Sequence, residues 1–244
     1  MIRFFLIIIF LICFLTASIP IFLAEWLIGK RHPDVRDKSS LRIVQWALRV
    51  ISRLAGITLT VIGEENVPKD TPVLYIGNHR SYFDIVISYA RCPRPTGYVA
   101  KKEMLKIPLL SRWMKFLHCQ FLDRKDIRAG MQTILECISL IKSGVSITIF
   151  PEGTRGRGKS ELDMLPFHEG SFKIATKTGC PIIPMAISGS SAIFEDHTPH
   201  VRKGPIILEY GKPIYPSELS KEDQKALGKY VSAEIAKMLE KHAC

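Results

Sequence analysis

An uninterrupted apolar run near the amino terminus constrains this chain more than any other feature. Residues 4–23 form 20 consecutive positions without a charge. An α-helix rises about 1.5 Å per residue, so this run is long enough to cross a hydrocarbon core of about 30 Å. A cleaved signal peptide usually has a shorter apolar core, of about 7 to 15 residues, and cations follow this run closely. We therefore expect a retained membrane anchor.

The charges that flank the apolar run predict its orientation. Arg3 alone precedes the run, and four cations follow it: Lys30, Arg31, Arg36 and Lys38. By the positive-inside rule, the main part of the chain is expected at the membrane on its cytoplasmic face. Pro20 and Glu25 leave a second arrangement open, in which the segment enters one leaflet and returns without spanning.

Residues 40–56 predict a second helix, which is amphipathic and basic. Its apolar positions recur at helical spacing: Ile43, Val44, Ala47, Leu48, Ile51 and Leu54. Its opposite face is polar: Arg42, Gln45, Arg49, Ser52 and Arg53. Such a helix either lies at the membrane interface, where its arginines meet anionic lipid headgroups, or packs on the domain as an ordinary surface helix. The sequence favours neither.

The rest of the chain predicts an α/β domain. Short β-branched runs predict strands at residues 57–62, 73–76, 98–100, 145–150, 182–187 and 206–210. Helices are predicted between or after them, at residues 83–90, 108–117, 126–143, 171–178 and 218–241. This alternation is typical of a mostly parallel central sheet flanked by helices. We expect residues 1–56 to form the anchor and basic helix, and residues 57–244 to form one domain.

Charge and cysteine content narrow the classes of partner. The 34 Lys and Arg against 23 Asp and Glu leave a net charge of +11, which favours anionic partners. No helix-turn-helix, zinc finger or ribonucleoprotein signature accompanies this charge, so we do not expect nucleic-acid binding. The six cysteines have no C-x-x-C spacing, which argues against a metal site and against a disulfide framework. We expect neither a metal nor a cofactor.

The end of the predicted strand at residues 73–76 carries a candidate general base. His79 leaves this strand, and Asp84 follows five positions later, where it can fix the imidazole tautomer. No G-x-S-x-G nucleophile elbow occurs, so a deprotonated group would belong to the substrate, such as an alcohol. The same segment also suits a helix cap at Ser81, in which His79 has no chemical role.

A second strand end combines glycines with cations. Residue 150 is followed closely by Glu152, Gly153, Thr154 and Arg155. Glycines expose backbone N–H groups and a guanidinium binds phosphate oxygens in pairs, although the spacing is not that of a Walker loop. Lys101 and Arg124 also follow apolar runs, so they are expected to face the same crevice as Arg155. The alternative is a solvated basic turn.

The two motifs together carry a family resemblance. Asn78-His79 with Asp84, followed some seventy residues later by Phe150-Pro151-Glu152-Gly153-Thr154-Arg155, closely resembles the motif pair of the glycerolipid acyltransferase family. Two weaker blocks agree with it, Phe121-Leu122-Asp123-Arg124 and Pro181-Ile182-Ile183-Pro184. The resemblance covers roughly residues 57 to 215.

The resemblance implies an activity and a role for each motif residue. Members pass an acyl group directly from a thioester, acyl-CoA or acyl-carrier protein, to a free hydroxyl of a lysophospholipid or glycerol phosphate, without an acyl-enzyme. By this resemblance His79 is the general base and Asp84 orients it. The residues implied in substrate binding are Asn78, Glu152, Gly153, Thr154 and Arg155, with Lys101 and Arg124 as weaker phosphate ligands.

The resemblance leaves the acceptor open. The length of the chain and its single anchor favour lysophosphatidic acid, which would be converted to phosphatidic acid at the membrane, with anionic lipids as further partners. Glycerol 3-phosphate and other lysophospholipids are the alternative acceptors. A thioester or lipid hydrolase, in which His79 activates water, is a different reaction class, and a lipid-binding module without catalysis is a third.

Overall fold

The computed structural model describes residues 1–158 and 160–242 of the chain. Its strands are β1 (Ile57–Ile62), β2 (Leu74–Gly77), β3 (Thr96–Lys101), β4 (Gln120–Leu122), β5 (Ser146–Ile149), β6 (Ile182–Ser188) and β7 (Gly204–Tyr210). They form one sheet in the order β1-β7-β6-β2-β5-β3-β4. Of the described pairs, β6 with β7 is antiparallel and the others are parallel. The predicted mostly parallel sheet is confirmed.

Eight α-helices accompany the sheet in the described residues. They are α1 (Ile2–Arg31), α2 (Pro33–Ala55), α3 (Tyr82–Tyr89), α4 (Pro108–Phe116), α5 (Ile127–Lys142), α6 (Lys173–Thr178), α7 (Lys221–Lys225) and α8 (Leu227–Glu240). The helix predicted at residues 218–241 is therefore two helices, separated at Ala226. The helix predicted from residue 171 begins at Lys173, after a 3₁₀ turn over Glu169–Phe172.

The sheet is covered on both faces, which explains why its central strands are apolar without alternation. Every residue of β2 and of β6 is buried. Leu74 and Ile76 of β2 pack with residues of α5, α6 and α8, whereas Tyr75 packs on the other face with residues of α2 and α3. A parallel strand with helices on both sides has no solvent-facing side to fill with polar residues.

The strand order sets where polar side chains can gather. β2, β5, β3 and β4 are neighbours and run in the same direction, so their carboxyl ends lie along one edge of the sheet. In open α/β sheets, ligands bind beyond the carboxyl ends of the strands. A ligand site is therefore expected in the segments that follow these four strands.

Helices α1 and α2 form a hairpin that lies against the domain. α1 has 30 residues, a length of about 45 Å, and Pro20 does not end it. Near its start, the Phe4 ring stacks on Phe194 with centroids 5.9 Å apart. Further along, Phe14 and Phe22 lie with ring centroids 6.0 and 5.1 Å from that of Trp113 in α4. The helix thus contacts the domain over much of its length.

The other side of α1 is apolar and exposed. The exposed side chains are Ile2, Phe5, Leu6, Ile8, Ile9, Ile12, Ile19, Leu23, Trp26 and Leu27. Among the helices of the described residues, α1 alone is long and apolar enough to cross a membrane, a test of length and composition only. A continuous apolar surface of this kind marks contact with lipid or with protein. It is consistent with the expected membrane association.

The polar face of α2 is only partly available to lipid. Its apolar positions Ala47 and Ile51 are buried against α1 and the domain, as an amphipathic surface helix requires. Gln45 donates its side-chain amide to the Cys92 carbonyl oxygen at 2.8 Å, and Arg49 donates to the Ala90 carbonyl oxygen at 3.4 Å. Part of this face therefore caps the end of α3.

Replacing Trp113 by alanine tests the attachment of α1. Trp113 is 2% exposed, and its indole N–H donates to the Ser18 hydroxyl oxygen at 2.9 Å. Removing a buried Trp costs about 3 to 5 kcal/mol. Here it also removes the donor to the Ser18 hydroxyl oxygen, whose own O–H still donates to the Phe14 carbonyl oxygen at 2.7 Å. We expect Trp113→Ala to lower the free energy of unfolding in detergent by that amount. Trp46→Ala, at a residue that is 52% exposed, should cost clearly less; equal losses would contradict this interpretation of the packing.

Candidate active site

The turn after β2 delivers His79 to the carboxyl edge of the sheet. β2 ends at Gly77, where a Cβ atom would lie 3.1 Å from the Phe150 ring and 3.3 Å from the Met185 methyl group. Because glycine leaves this space open, Phe150 can pack closely over the turn. The His79 imidazole stacks on Phe150 with ring centroids 4.4 Å apart and 18° between the planes. The ring orientation is therefore fixed by packing.

Asp84 pairs with His79 and also caps α3. The distance from His79 Nδ1 to Asp84 Oδ2 is 2.8 Å, and Asp84 is fully buried. The same carboxylate oxygen accepts the backbone N–H groups of Arg80 and Ser81, each at 2.7 Å. Ser81 in turn accepts the backbone N–H of Phe83, which completes a capping box. The helix cap and the His-Asp pair, two alternatives in the sequence, exist together.

The pairing decides which imidazole nitrogen keeps a free lone pair. When the Asp84 carboxylate accepts the Nδ1 proton, the lone pair of the neutral ring resides on Nε2. Within the described part of the chain, His79 Nε2 has no hydrogen-bond partner, and the His79 side chain is 15% exposed. The ring can therefore take up a proton at Nε2 from a group that approaches the edge of the sheet.

Glu152 links the two motifs through the backbone. One carboxylate oxygen accepts the His79 backbone N–H at 2.7 Å, and the other accepts the Leu165 backbone N–H at 2.8 Å. Burial raises the pKa of the Glu152 carboxyl, and these two N–H groups oppose that rise. Both carboxylate oxygens are thus hydrogen-bonded to backbone N–H groups, one in the turn after β2 and one in the loop after β5. Through the first of these bonds, Glu152 fixes the backbone position of His79.

Asn78 is committed to the sheet. Its amide nitrogen donates to the Ile187 carbonyl oxygen at 2.9 Å, and its amide oxygen accepts the Ile187 backbone N–H at 2.8 Å. Asn78 is 1% exposed. This pair of bonds fastens the end of β2 to β6 and leaves the amide pointing away from solvent.

The loop after β5 wraps around the turn that carries His79. Gly153 has φ +72°, a conformation that favours glycine, and a Cβ atom there would lie 3.2 Å from His168 Nε2. Thr154 is exposed. The Gly156 backbone N–H donates to the His79 carbonyl oxygen at 2.7 Å, which ties this loop to the first motif.

Arg155 stands beside the first motif. Its guanidinium carbon lies 3.9 Å from the centroid of the Tyr82 ring, and one terminal nitrogen donates to Glu195 at 2.9 Å. The other terminal nitrogen lies 3.3 Å from the Tyr82 hydroxyl oxygen. The Arg155 side chain is 31% exposed, so part of its donor fork remains open to a ligand.

Lys101 and Arg124 lie at the same edge of the sheet, further from β2. Lys101 is the last residue of β3 and pairs with Leu122 of β4, and Arg124 follows that strand by two residues. Both side chains are exposed. Within the described residues neither forms a hydrogen bond or ion pair with His79 or Arg155. The structure therefore places them along the same edge without a hydrogen bond or ion pair to His79 or Arg155.

Three residues of this edge were not singled out by the sequence. The guanidinium of Arg80 donates to the carbonyl oxygens of Gly158 and Ser160, each at 2.6 Å, and so holds the loop after β5. Tyr82 and Glu195 contact Arg155. Arg80 and Tyr82 stand between the motif residues His79 and Asp84, and this position in the sequence could have marked them as candidate site residues. Glu195 lies 40 positions after Arg155 and belongs to no motif.

Residues 1–158 and 160–242 contain no cluster of three or more His, Cys, Asp or Glu side chains that could hold a metal ion. Five cysteines in this part of the chain are free thiols, of which Cys92, Cys119, Cys137 and Cys180 are buried. Cys244 and Lys159 lie outside the described residues.

Comparison with known proteins identifies the family. The family model described as Acyltransferase matches residues 58–188, a segment that contains both motifs. The chain belongs to the Acyltransferase family. The predicted resemblance is therefore confirmed at the level of the family.

Relatives of this acyltransferase carry closely related names. The chain is 31% identical to the 1-acyl-sn-glycerol-3-phosphate acyltransferase of Saccharomyces cerevisiae over 80% of its own length and 63% of that protein. It is 30% identical to the protein of the same name from Borreliella burgdorferi, over 82% of its own length and 79% of that protein. The chain thus spans slightly less than two thirds of the yeast relative.

A solved structure extends the likeness to the whole chain. The crystal structure of the 1-acyl-sn-glycerophosphate (LPA) acyltransferase PlsC from Thermotoga maritima superposes with a TM-score of 0.81 at 26% sequence identity. The match covers 98% of this chain and 96% of that one. It therefore includes the α1–α2 hairpin as well as the α/β domain.

Replacing Asn78 by aspartate tests the fastening of β2 to β6. A carboxylate cannot donate to the Ile187 carbonyl oxygen and would repel it, and leaving such a buried group unpaired costs about 1 to 3 kcal/mol. We expect Asn78→Asp to lower the unfolding free energy by at least that amount in denaturant titrations. Asn66→Asp is the matched control, since the Asn66 amide makes one bond, to the Tyr210 carbonyl oxygen at 3.0 Å. A smaller loss at Asn78 than at Asn66 would refute this account.

Proposed function

We propose that this acyltransferase is a 1-acyl-sn-glycerol-3-phosphate acyltransferase. It transfers an acyl group from a thioester, acyl-CoA or acyl-carrier protein, to the free 2-hydroxyl of lysophosphatidic acid and yields phosphatidic acid. The observation that carries the proposal is the His79–Asp84 pair at 2.8 Å, in a motif whose Tyr82 ring contacts the half-buried guanidinium of Arg155. The names of the relatives support the choice of lysophosphatidic acid as the acceptor.

The reaction begins with proton transfer to His79. Nε2 takes the proton of the acceptor hydroxyl as its oxygen bonds to the thioester carbonyl carbon, and the buried Asp84 carboxylate stabilises the imidazolium that forms. The tetrahedral intermediate then breaks its carbon–sulfur bond, and the thiolate leaves with the proton from His79. No nucleophile of the protein takes part, so no acyl-enzyme forms.

The cations of the carboxyl edge hold the acceptor. Arg155 offers a planar donor fork for the phosphate of lysophosphatidic acid, while Lys101 and Arg124 provide positive charge further along the same edge. The exposed Thr154 hydroxyl and the backbone of Gly153 lie on the loop that faces the acceptor. Glu152 and Asn78 act through position, because their polar atoms are engaged by backbone groups.

Residues 1–56 act as the membrane unit in this proposal. A spanning helix would carry its central residues away from a domain in the solvent, whereas α1 contacts the domain from Phe4 to Phe22. This favours the arrangement in which α1 lies within one leaflet, with its exposed apolar side in lipid and the cations after it near anionic headgroups. The domain then faces the cytoplasm, where acyl thioesters are supplied.

The His79→Ala and Asp84→Asn variants test the proposed chemistry. Loss of the base should lower kcat by about a hundred- to ten thousandfold. Asp84→Asn keeps an oxygen that can accept from Arg80 and Ser81, so it should retain the helix cap and the fold while losing the charge that stabilises imidazolium. The assay is thiol release from long-chain acyl-CoA with and without lysophosphatidic acid, with the lipid product identified by mass.

A histidine outside the two motifs provides the control for the His79 variant. His200→Ala replaces an exposed histidine outside the motifs and should leave kcat unchanged. Thiol release at full rate without acceptor would indicate a hydrolase. Near-normal turnover by His79→Ala would rule out its role as the base. Thiol release that requires a different lysophospholipid or glycerol 3-phosphate would show that this compound, and not lysophosphatidic acid, is the acceptor.

Protease protection distinguishes the two arrangements of α1. An amino-terminal tag on a spanning helix would lie across the membrane from the domain, whereas a helix within one leaflet keeps the tag on the same side. In sealed inside-out vesicles, we therefore expect protease to remove the amino-terminal and carboxyl-terminal tags together. Vesicles opened with detergent provide the control for complete access. Protection of the amino-terminal tag alone would establish a spanning helix instead.

A further inference from the structure

Arg155 is already paired with an anion of the protein itself. One terminal nitrogen of its guanidinium donates to Glu195 Oε1 at 2.9 Å. The same carboxylate oxygen accepts the backbone N–H of Tyr82 at 2.9 Å. An anion therefore occupies the side of Arg155 that faces the first motif, and it takes a second hydrogen bond from the backbone of that motif.

The Glu195 carboxylate is incompletely satisfied in this position. Its second oxygen, Oε2, is buried and has no hydrogen-bond partner within the described part of the chain. A buried acceptor without a donor costs free energy, because it has lost its water and gained nothing in return. A phosphate monoester, with three terminal oxygens and close to two negative charges, could use the same donors more fully.

The segment that carries Glu195 is fixed just before this residue. Ile193 is 1% exposed, and its carbonyl oxygen accepts the Arg202 backbone N–H at 2.8 Å. Phe194 stacks on Phe4 of α1. Glu195 itself begins a short 3₁₀ turn, Glu195–His197. Release of Arg155 therefore needs only rotation of the Glu195 side chain, without movement of the buried backbone behind it.

We propose that Glu195 is an internal competitor for the phosphate site at Arg155, which the acceptor phosphate displaces on binding. This inference rests on the proposed function, because it takes the acceptor to be a phosphate monoester. Two anions cannot share the Arg155 fork at full strength, since their mutual repulsion opposes binding of the second. Glu195 thus keeps Arg155 paired in the empty site and weakens the apparent affinity for the acceptor.

The Glu195→Gln variant separates competition from positioning. It removes the charge and keeps an oxygen that can accept the Tyr82 backbone N–H. If Glu195 competes with the acceptor, KM for lysophosphatidic acid should fall about three- to tenfold while kcat changes less than about twofold. KM for monoacylglycerol, which has no phosphate, should stay the same. If Glu195 instead held Arg155 in place for the acceptor, KM for lysophosphatidic acid would rise, and an unchanged or raised KM overturns the proposal.

A matched control removes the same charge from a different pair. Glu64 pairs with Arg91 at 2.7 and 2.5 Å on the opposite edge of the sheet from His79. Glu64→Gln should leave both KM values unchanged. A fall in KM in this variant equal to that in Glu195→Gln would mean that overall charge is responsible, and it would overturn the proposal.

A binding measurement keeps this inference separate from the proposed function. Calorimetric titration of the full-length protein in detergent with inorganic phosphate needs no turnover, and Glu195→Gln should bind phosphate about three- to tenfold more tightly than wild type. Tighter binding would support the competitor even if wild type did not acylate lysophosphatidic acid, in which case the proposed function alone would fail. Normal acylation with no gain in phosphate affinity would overturn the competitor alone.

Discussion

The buried carboxylate of Asp84 is the interaction on which the candidate site depends. One of its oxygens, Oδ2, forms hydrogen bonds with the His79 imidazole and with the backbone N–H groups of Arg80 and Ser81. A carboxylate removed from water needs such donors, so the turn after β2 is held in the single conformation that supplies all three. The same bonds start α3 and orient the His79 imidazole. The hydrogen bonds of Asp84 therefore support both the local fold of this turn and the proposed chemistry.

This turn is fastened to the strands on both sides of β2. Asn78 binds the backbone of Ile187 in β6, and Glu152, after β5, accepts the His79 backbone N–H. Parallel order brings the ends of β6, β2 and β5 together, although these strands are far apart in sequence. Because neighbouring strands hold this turn, the position of His79 does not depend on a loop alone.

Much of the fold and of the candidate site could be predicted from the sequence, and the elements that were not predicted were missed for physical reasons. β1 and the core of β6 follow from short β-branched runs, and the two motifs mark His79, Asp84 and Arg155. β4 was not predicted because three partly buried residues, Gln120–Leu122, carry too little pattern for a strand. Glu195 could not be predicted, because a single acid far from any motif meets Arg155 only after the chain has folded.

The contact of α1 with the domain limits how substrates reach the site. Aromatic pairs from Phe4 to Phe22 fasten this helix to the domain at well-separated points, so packing sets its position relative to the sheet. In the proposed arrangement, with α1 in one leaflet, this attachment sets the height of His79 above the lipid. The proposed acceptor, held in the bilayer by its acyl chain, then reaches the site by lateral diffusion, and the search takes place in two dimensions.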